Sequence, residues 1–231
     1  MKTIGLIGGM SWESTEAYYR ILNETIRERL GGLHSAKVLL YSVDFEEIEQ
    51  YQADGAWNKS ADVLGKAAVN LEKAGADFIV ICTNTMHKIV PHIQRCLKIP
   101  IIHIAEATAL ELRVKGVFYA GLLGTKYTMT QNFYKAKLSQ NGVYVITPNE
   151  DEMDFVNYVI YDELCRGIIA PESKLRFLEI IDNLQAKGAQ GVILGCTEIG
   201  MLISQQDTKV PVFDTTTIHA RRAALYAINQ Y

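Results

Sequence analysis

The chain has 231 residues, 48% of them hydrophobic, and its 23 basic residues against 26 acidic ones give a formal charge of -3. That composition suits a globular chain burying one large core or two smaller ones, and it carries no electrostatic footprint for nucleic acid or a membrane surface. No run approaches the roughly 20 apolar residues that cross a bilayer, and no basic and apolar leader opens the sequence, so a cytoplasmic protein is expected. The four cysteines, Cys82, Cys96, Cys165 and Cys196, have neither CxxC spacing nor a nearby histidine-rich pattern. Neither a disulfide framework nor a metal site is expected from them.

In chain order, short β-rich runs alternate with longer helical patterns. "TIGLIG" precedes a helix over 12–30, "AKVLLYS" one over 45–74, "DFIVIC" one over 85–97 and "IPIIHI" one over 105–115. The rhythm restarts with "VFYAGLLG" at 117, followed by "GVYVIT", "QGVILGC" and "VPVFD", with helical stretches over 128–141, 150–168 and 172–187. Repeated strand-then-helix units predict an α/β fold with parallel sheets. No Pro/Gly/Ser-rich linker marks the join near 105–116.

The two halves are related. "NLEKAGADFIVICTNT" from Asn70 aligns without gaps on "NLQAKGAQGVILGCTE" from Asn183 at an offset of 113. "IGLIGG" from Ile4 resembles "AGLLGT" from Ala120 at offset 116, and "IPII" from Ile99 resembles "VPVF" from Val210 at offset 111. Three elements repeated in the same order indicate a duplication. In this register Cys82 falls opposite Gly195, and Thr83 opposite Cys196. Successive residues of a strand point to opposite faces, so if Cys196 faces a ligand, Cys82 is expected to point into a helix-packed face unless a bulge shifts it.

In open α/β sheets ligands bind beyond the C-terminal ends of the strands, and polar candidates collect there. Gly8, Gly9 and Met10 follow the first strand, and Cys82, Thr83, Asn84 and Thr85 the third. Gly124, Thr125 and Thr128 follow the fifth, and Cys196, Thr197 and Glu198 the seventh. Helices starting just after these loops offer free N–H groups to a carboxylate, so no metal or phosphate is called for. Each residue also has a purely structural reading: Asn84, Thr85, Thr125 and Thr128 as caps, Glu198 as a first-turn dipole partner, Cys82 as a small buried hydrophobe. "GLIGGMS" lacks the GxGxxG spacing of a dinucleotide site.

"VICTNTMHK", "VILGCTEIG", "GLIGGMSWEST" and "GLLGTKYTM" together resemble the aspartate/glutamate racemase family, in its broad-specificity amino-acid racemase branch, over nearly the whole chain. The resemblance implies two α/β domains related by a pseudo-twofold axis, a substrate amino acid in the cleft between them, no pyridoxal phosphate or other cofactor, and a homodimer. It also implies a final helix over 216–229 returning to the first domain. The expected domains are therefore 1–104 plus 215–231, and 105–214. Racemisation needs two acid/base groups flanking one Cα, and a thiol of ordinary pKa about 8.5 can be poised for that work. Many family members carry cysteine immediately before the asparagine, where this chain has Thr83. Three readings follow: Thr83 as a weak second acid/base opposite Cys196, Cys82 bulging in to replace it, or Cys196 acting alone. The first is the expectation adopted. A one-cysteine decarboxylase of substituted malonates and a non-catalytic amino-acid-binding protein are the alternatives.

By resemblance, Asn84, Thr85 and Thr197, with backbone N–H groups, bind the substrate carboxylate and ammonium, and Gln52 approaches from the first domain. Arg166, in "ELCRG", is a candidate partner for a distal carboxylate, because guanidinium bonds carboxylates bidentately. It reads equally as a solvated residue interacting with its own helix dipole. With Arg166 in that role, aspartate or glutamate is the favoured substrate.

Overall fold

The computed structural model describes residues 1–230. The chain divides into two compact units, Met1–Ile104 with His219–Tyr231, and Ala105–Ile218. The first unit runs β1 (Ile4–Gly8), α1 (Trp12–Leu30), β2 (Val38–Ser42), α2 (Phe45–Ala53), α3 (Trp57–Lys73), β3 (Phe78–Ile81), a 3-10 turn at Thr85–Ile89, α4 (Val90–Gln94) and β4 (Ile101–Ile102). Helix α5 (Ile104–Val114) leads on to β5 (Tyr119–Leu123), α6 (Lys126–Thr130), α7 (Asn132–Gln140), β6 (Tyr144–Ile146), α8 (Glu150–Tyr158), α9 (Pro171–Ala186), β7 (Gly191–Leu194), α10 (Ile199–Leu202), β8 (Val212–Asp214) and α11 (Thr215–Ala227). Each sheet is wholly parallel, ordered β2-β1-β3-β4 in one and β6-β5-β7-β8 in the other. The strand order of one sheet is that of the other shifted by four strands, as a duplication requires.

Several helices are shorter than the sequence periodicity suggests, and each break has a local cause. The stretch over 45–74 is two helices, because Gly55 turns at φ +68 between α2 and α3. The stretch over 128–141 starts earlier, where Thr125 caps α6, and is interrupted by Gln131 in extended conformation at ψ 151. After the Asn149–Glu152 capping box, α8 loosens into a π turn at Val159–Glu163 and a 3-10 turn at Leu164–Arg166, which Gly167 ends at φ +73. Helix α10 is four residues long, too short to leave a 3.6-residue period in the sequence.

The central strands of the first sheet are apolar on both faces, as a parallel sheet covered on both sides demands. Ile7, Ile79 and Ile81 pack against Leu64, Ala67, Ala68 and Leu71 of α3. Their neighbours Ile4, Leu6, Phe78 and Val80 point the other way, against Tyr18 and Leu22 of α1 and Ala220, Ala223, Ala224 and Ala227 of α11. The alanines recur at helical spacing, so α11 lays a narrow small-residue stripe on the sheet. Burying each large side chain of this kind contributes about 1.5–3 kcal/mol.

His219 of α11 is fully buried on this face. Its Nε2 lies 2.9 Å from the Ile102 carbonyl oxygen, which can only accept, so Nε2 carries the proton and Nδ1 accepts from the Tyr18 hydroxyl at 2.8 Å. Burial holds its pKa down to about 3, against an ordinary value of about 6.5. A depressed histidine pKa means the unfolded chain binds the extra proton between those two values. Stability is therefore complete above pH 6.5 and falls as pH drops towards 3. We predict that urea unfolding followed by circular dichroism gives a stability lower at pH 5 than at pH 7 by about 2 kcal/mol on account of His219. His219→Gln should lose less stability over the same interval, and an equal loss in both proteins would contradict this assignment.

Candidate active site

In the first unit the chain turns sharply where β1 ends. Gly9 has φ +90, and a Cβ there would lie 2.2 Å from the Val43 carbonyl oxygen, so no side chain fits. The Gly9 N–H donates to Thr15 Oγ1 at 2.8 Å, and the Ser11 side chain caps α1 by accepting from the Ser14 N–H. Met10 is buried in the α3-side cluster. The neighbouring strand β3 is held at its end by the Cys82 N–H, which donates to the Ile7 carbonyl at 2.9 Å, and the Ser14 hydroxyl donates to the Cys82 carbonyl at 3.0 Å.

The second unit repeats that arrangement. The Gly195 N–H donates to the Leu123 carbonyl at 2.6 Å, as Cys82 does to Ile7. Ile7 pairs with Ile81, and Leu123 with Leu194. Cys82 and Gly195 thus hold corresponding backbone positions, and Thr83 and Cys196 are the next residue in each unit. No extra residue intervenes in either strand end.

The Cys82 side chain is fully buried among Tyr18, Phe78, Val80 and Ala220, and burial alone pushes its thiol far above the ordinary range. Thr83 is half-buried, while Asn84 and Thr85 are buried at the start of the 3-10 turn. Cys196 is 8% exposed, and its thiol donates to Glu198 Oε2 at 2.9 Å. The same oxygen accepts from the Thr197 hydroxyl at 2.7 Å. Burial first, and then the charge of Glu198 and the proximity of Cys165, raise the Cys196 thiol well above its usual value. The resting group is a protonated thiol hydrogen-bonded to the Glu198 side chain. Thr125 and Thr128 lie beyond β5, where Thr125 Oγ1 accepts from the Thr128 N–H at 3.3 Å and lies 3.2 Å from Thr128 Oγ1. Thr125 is thus the N-cap of α6, and Thr128, buried within the helix, supplies the N–H that the cap receives.

The sequence candidates therefore gather at two strand-end pairs: Gly9, Met10, Cys82, Thr83, Asn84 and Thr85 in one unit, and Thr125, Thr128, Cys196, Thr197 and Glu198 in the other. Gln52 is buried on α2. Arg166 is not drawn into either group; its side chain is 67% exposed and its guanidinium meets Asp162 at 3.3 Å, one helical turn back. The histidines near the first pair were not among the sequence candidates. His87 is buried with its ring 4.5 Å from that of His103 and 5.5 Å from that of His219. Burial, His103 and His219, in that order, hold it neutral, with the Ile81 carbonyl opposing. Only its position three residues after Asn84 could have flagged it. Among the described residues no set of three or more His, Cys, Asp and Glu side chains is arranged to hold a metal ion. No helix among them is long and apolar enough to cross a membrane.

Residues 7–223 match the Asp/Glu/Hydantoin racemase family. This chain belongs to that family. Membership makes it an isomerase of the racemase class, and its two parallel four-stranded sheets with flanking helices are the family fold. The chain is 25% identical over 224 residues to the broad specificity amino-acid racemase RacX of Bacillus subtilis (strain 168), covering 94% of this chain and 95% of the relative. A Yersinia pestis crystal structure with a provisional Asp/Glu racemase description is 53% identical, covering 99% of this chain and all of that one at a TM-score of 0.93. An aspartate racemase homologue from Pyrococcus horikoshii OT3 is 37% identical over the same 99% and all of its own chain, with a TM-score of 0.86.

The carboxylate beside Cys196 makes a measurable prediction. A neighbouring negative charge disfavours the thiolate, so replacing it by a neutral amide lowers the thiol pKa. Glu198→Gln should shift the pH midpoint of Cys196 alkylation by iodoacetamide, read by peptide mass spectrometry, to lower pH. An unmoved midpoint would show that Glu198 does not govern the thiol.

Proposed function

We propose that the chain is a cofactor-independent amino-acid racemase acting on aspartate or glutamate as a cytoplasmic homodimer. It inverts Cα by two-base proton transfer, with Cys196 on one face and Thr83 on the other. The observation that carries the reading is the matched backbone register, which gives Cys196 and Thr83 the same place in two repeated strand ends, while Cys82 is packed away in an apolar cluster. The proposal requires both strand ends to flank one substrate carbon.

For the L enantiomer, Cys196 passes its thiol proton to Glu198 and the thiolate takes the Cα proton. The carbanion is protonated on its other face through the Thr83 hydroxyl, which is exposed enough to draw a replacement proton from solvent. Asn84, Thr85 and Thr197, with the chain turn at Gly9 and Met10, hold the α-carboxylate as negative charge grows on it, and donors fixed beforehand stabilise that charge at little reorganisation cost. Gln52, Thr125 and Thr128 complete the polar lining. Arg166 meets the distal carboxylate; its exposed pair with Asp162 is worth little and is readily exchanged for a substrate.

Enantiomers have equal free energies in water, so kcat/KM must be equal in the two directions and a weak base at Thr83 cannot make turnover one-way. It can separate exchange from inversion. In heavy water we predict rapid α-deuteration of L-aspartate, read by NMR, with much slower appearance of the D form. Thr83→Cys should raise racemisation, Cys196→Ser should abolish exchange from L-aspartate by about 10² to 10⁴-fold, and Cys82→Ser should change little. Loss of activity in a folded Cys82→Ser protein would make Cys82 the second acid/base.

The presence of a single thiol at these two positions favours one further reading, a decarboxylase of substituted malonates, which needs only one protonating thiol. Such an enzyme would leave L-aspartate undeuterated and release carbon dioxide from an arylmalonate. Substrate choice has its own test: Arg166→Leu should lower the specificity constant for aspartate relative to that for methionine. An unchanged ratio would remove Arg166 from the substrate site.

A further inference from the structure

The two units fill matching positions differently beside their edge strands β4 and β8. In the first unit three rings stand there: His87 lies 4.5 Å from His103, and Tyr226 packs on Phe78 at 4.9 Å. At the repeat offsets of 113 for His87 and 111 for His103 and Tyr226, the second unit has Gly200, Asp214 and Lys115. None of these carries a ring, and a cavity of about 610 Å³ opens there, lined by α5, α10, β8 and the start of α11. A Cβ on Gly200 would have only the Asp214 side chain near it, at 3.6 Å. All the lining residues belong to the second unit, and none of Thr125, Thr128, Cys196, Thr197 and Glu198 is among them. The volume suits a small organic molecule.

The lining is apolar within and charged towards solvent. Leu194, Ile203 and Phe213 are buried, Glu111 and Asp214 are half-buried, and Lys115 is exposed. Asp214 is a fixed acceptor, because the Thr216 and Thr217 N–H groups hold its carboxylate in place. Glu111 and Lys115 stand one helical turn apart, and among the described residues they form no ion pair with each other. We infer that this cavity binds a free amino acid with an aromatic side chain, at a site separate from the strand-end group. The ammonium meets Asp214 and Glu111, the α-carboxylate meets Lys115, and the ring lies against Leu194, Ile203 and Phe213 in the space that Gly200 leaves. Aromatic contact with Phe213 adds to the gain from apolar burial. Opposite charges at one opening select against ligands of a single charge: an acid would face two carboxylates, and an amine would leave Lys115 without a partner. Aspartate and glutamate are disfavoured, because their second carboxylate would lose water against an apolar wall with nothing to pair it.

Because no strand-end candidate lines the cavity, the site stands whether or not the proposed racemase chemistry does. Isothermal titration of the full chain tests it, with Cys196→Ser to prevent turnover and excess aspartate to occupy the proposed substrate site. L-Phenylalanine should bind saturably under those conditions. Phenethylamine, which lacks the carboxylate, and hydrocinnamate, which lacks the ammonium, should each bind about tenfold more weakly or worse, the ordinary worth of a hydrogen bond to a charged group. Lys115→Met should weaken L-phenylalanine by about the same factor and leave phenethylamine unchanged. Gly200→His, which sets a ring where the first unit has His87, should abolish binding of both with unchanged circular dichroism. Lys115 is exposed, so its substitution tests the site even if Gly200→His does not fold. No saturable binding of L-phenylalanine, phenethylamine binding as tightly as L-phenylalanine, or an affinity untouched by Lys115→Met would overturn the assignment.

Discussion

Two backbone hydrogen bonds, Cys82 N–H to Ile7 and Gly195 N–H to Leu123, fix what each unit carries beyond its sheet. Each is the last rung of a parallel ladder, and each sets the residue that follows at the first position freed from the strand. A one-residue slip in either ladder would exchange buried and accessible side chains, because the strand period is two. The apolar run before Cys82 resists such a slip. Phe78 and Val80 are buried against α1 and α11 while Ile79 and Ile81 are buried against α3, so both faces are specified at once. The positions of Thr83 and Cys196 thus rest on the packing of the residues that precede them.

The environment of Cys196 follows from the same geometry. A thiol set in a buried strand end loses hydration, and a buried carboxylate beside it makes the thiolate dearer still. Such a group is held as an acid, and its proton is donated to Glu198 Oε2 at 2.9 Å. Cys82 has the burial without the acceptor, and its pKa is raised by burial alone. Two cysteines with similar exposure therefore have different chemical prospects, and the difference lies in one neighbouring side chain.

The duplication has also diverged beneath the strand ends. Tyr18 of α1 bonds His219 of α11, and at the matching offset Tyr134 of α7 lies beside Thr108 of α5. His87 packs on His103 in the first unit, whereas Gly200 stands near the Asp214 carboxylate in the second, 3.6 Å from where its Cβ would be. One unit thus rests on buried neutral imidazoles and the other on a hydrogen-bonding aspartate that caps α11 through the Thr216 and Thr217 N–H groups.

The sequence by itself determined the parallel α/β class, the duplication, and the strand ends where polar residues gather, because apolar periodicity and in-register repeats are local properties of the chain. It also placed Thr83 opposite Cys196, since strand parity survives folding when no bulge intervenes. The breaks at Gly55 and Gln131, the π turn after α8 and the histidine cluster under Asn84 were decided only in the tertiary structure. So were the thiol–carboxylate contact of Cys196 and Glu198 and the surface pair of Arg166 with Asp162. The histidine cluster joins residues far apart in the chain, and even the close pairs, Cys196 with Glu198 and Arg166 with Asp162, take their character from how far the folded chain removes water from them. Neighbours hundreds of bonds apart along the chain leave no trace in local periodicity, and desolvation acts only once they have met.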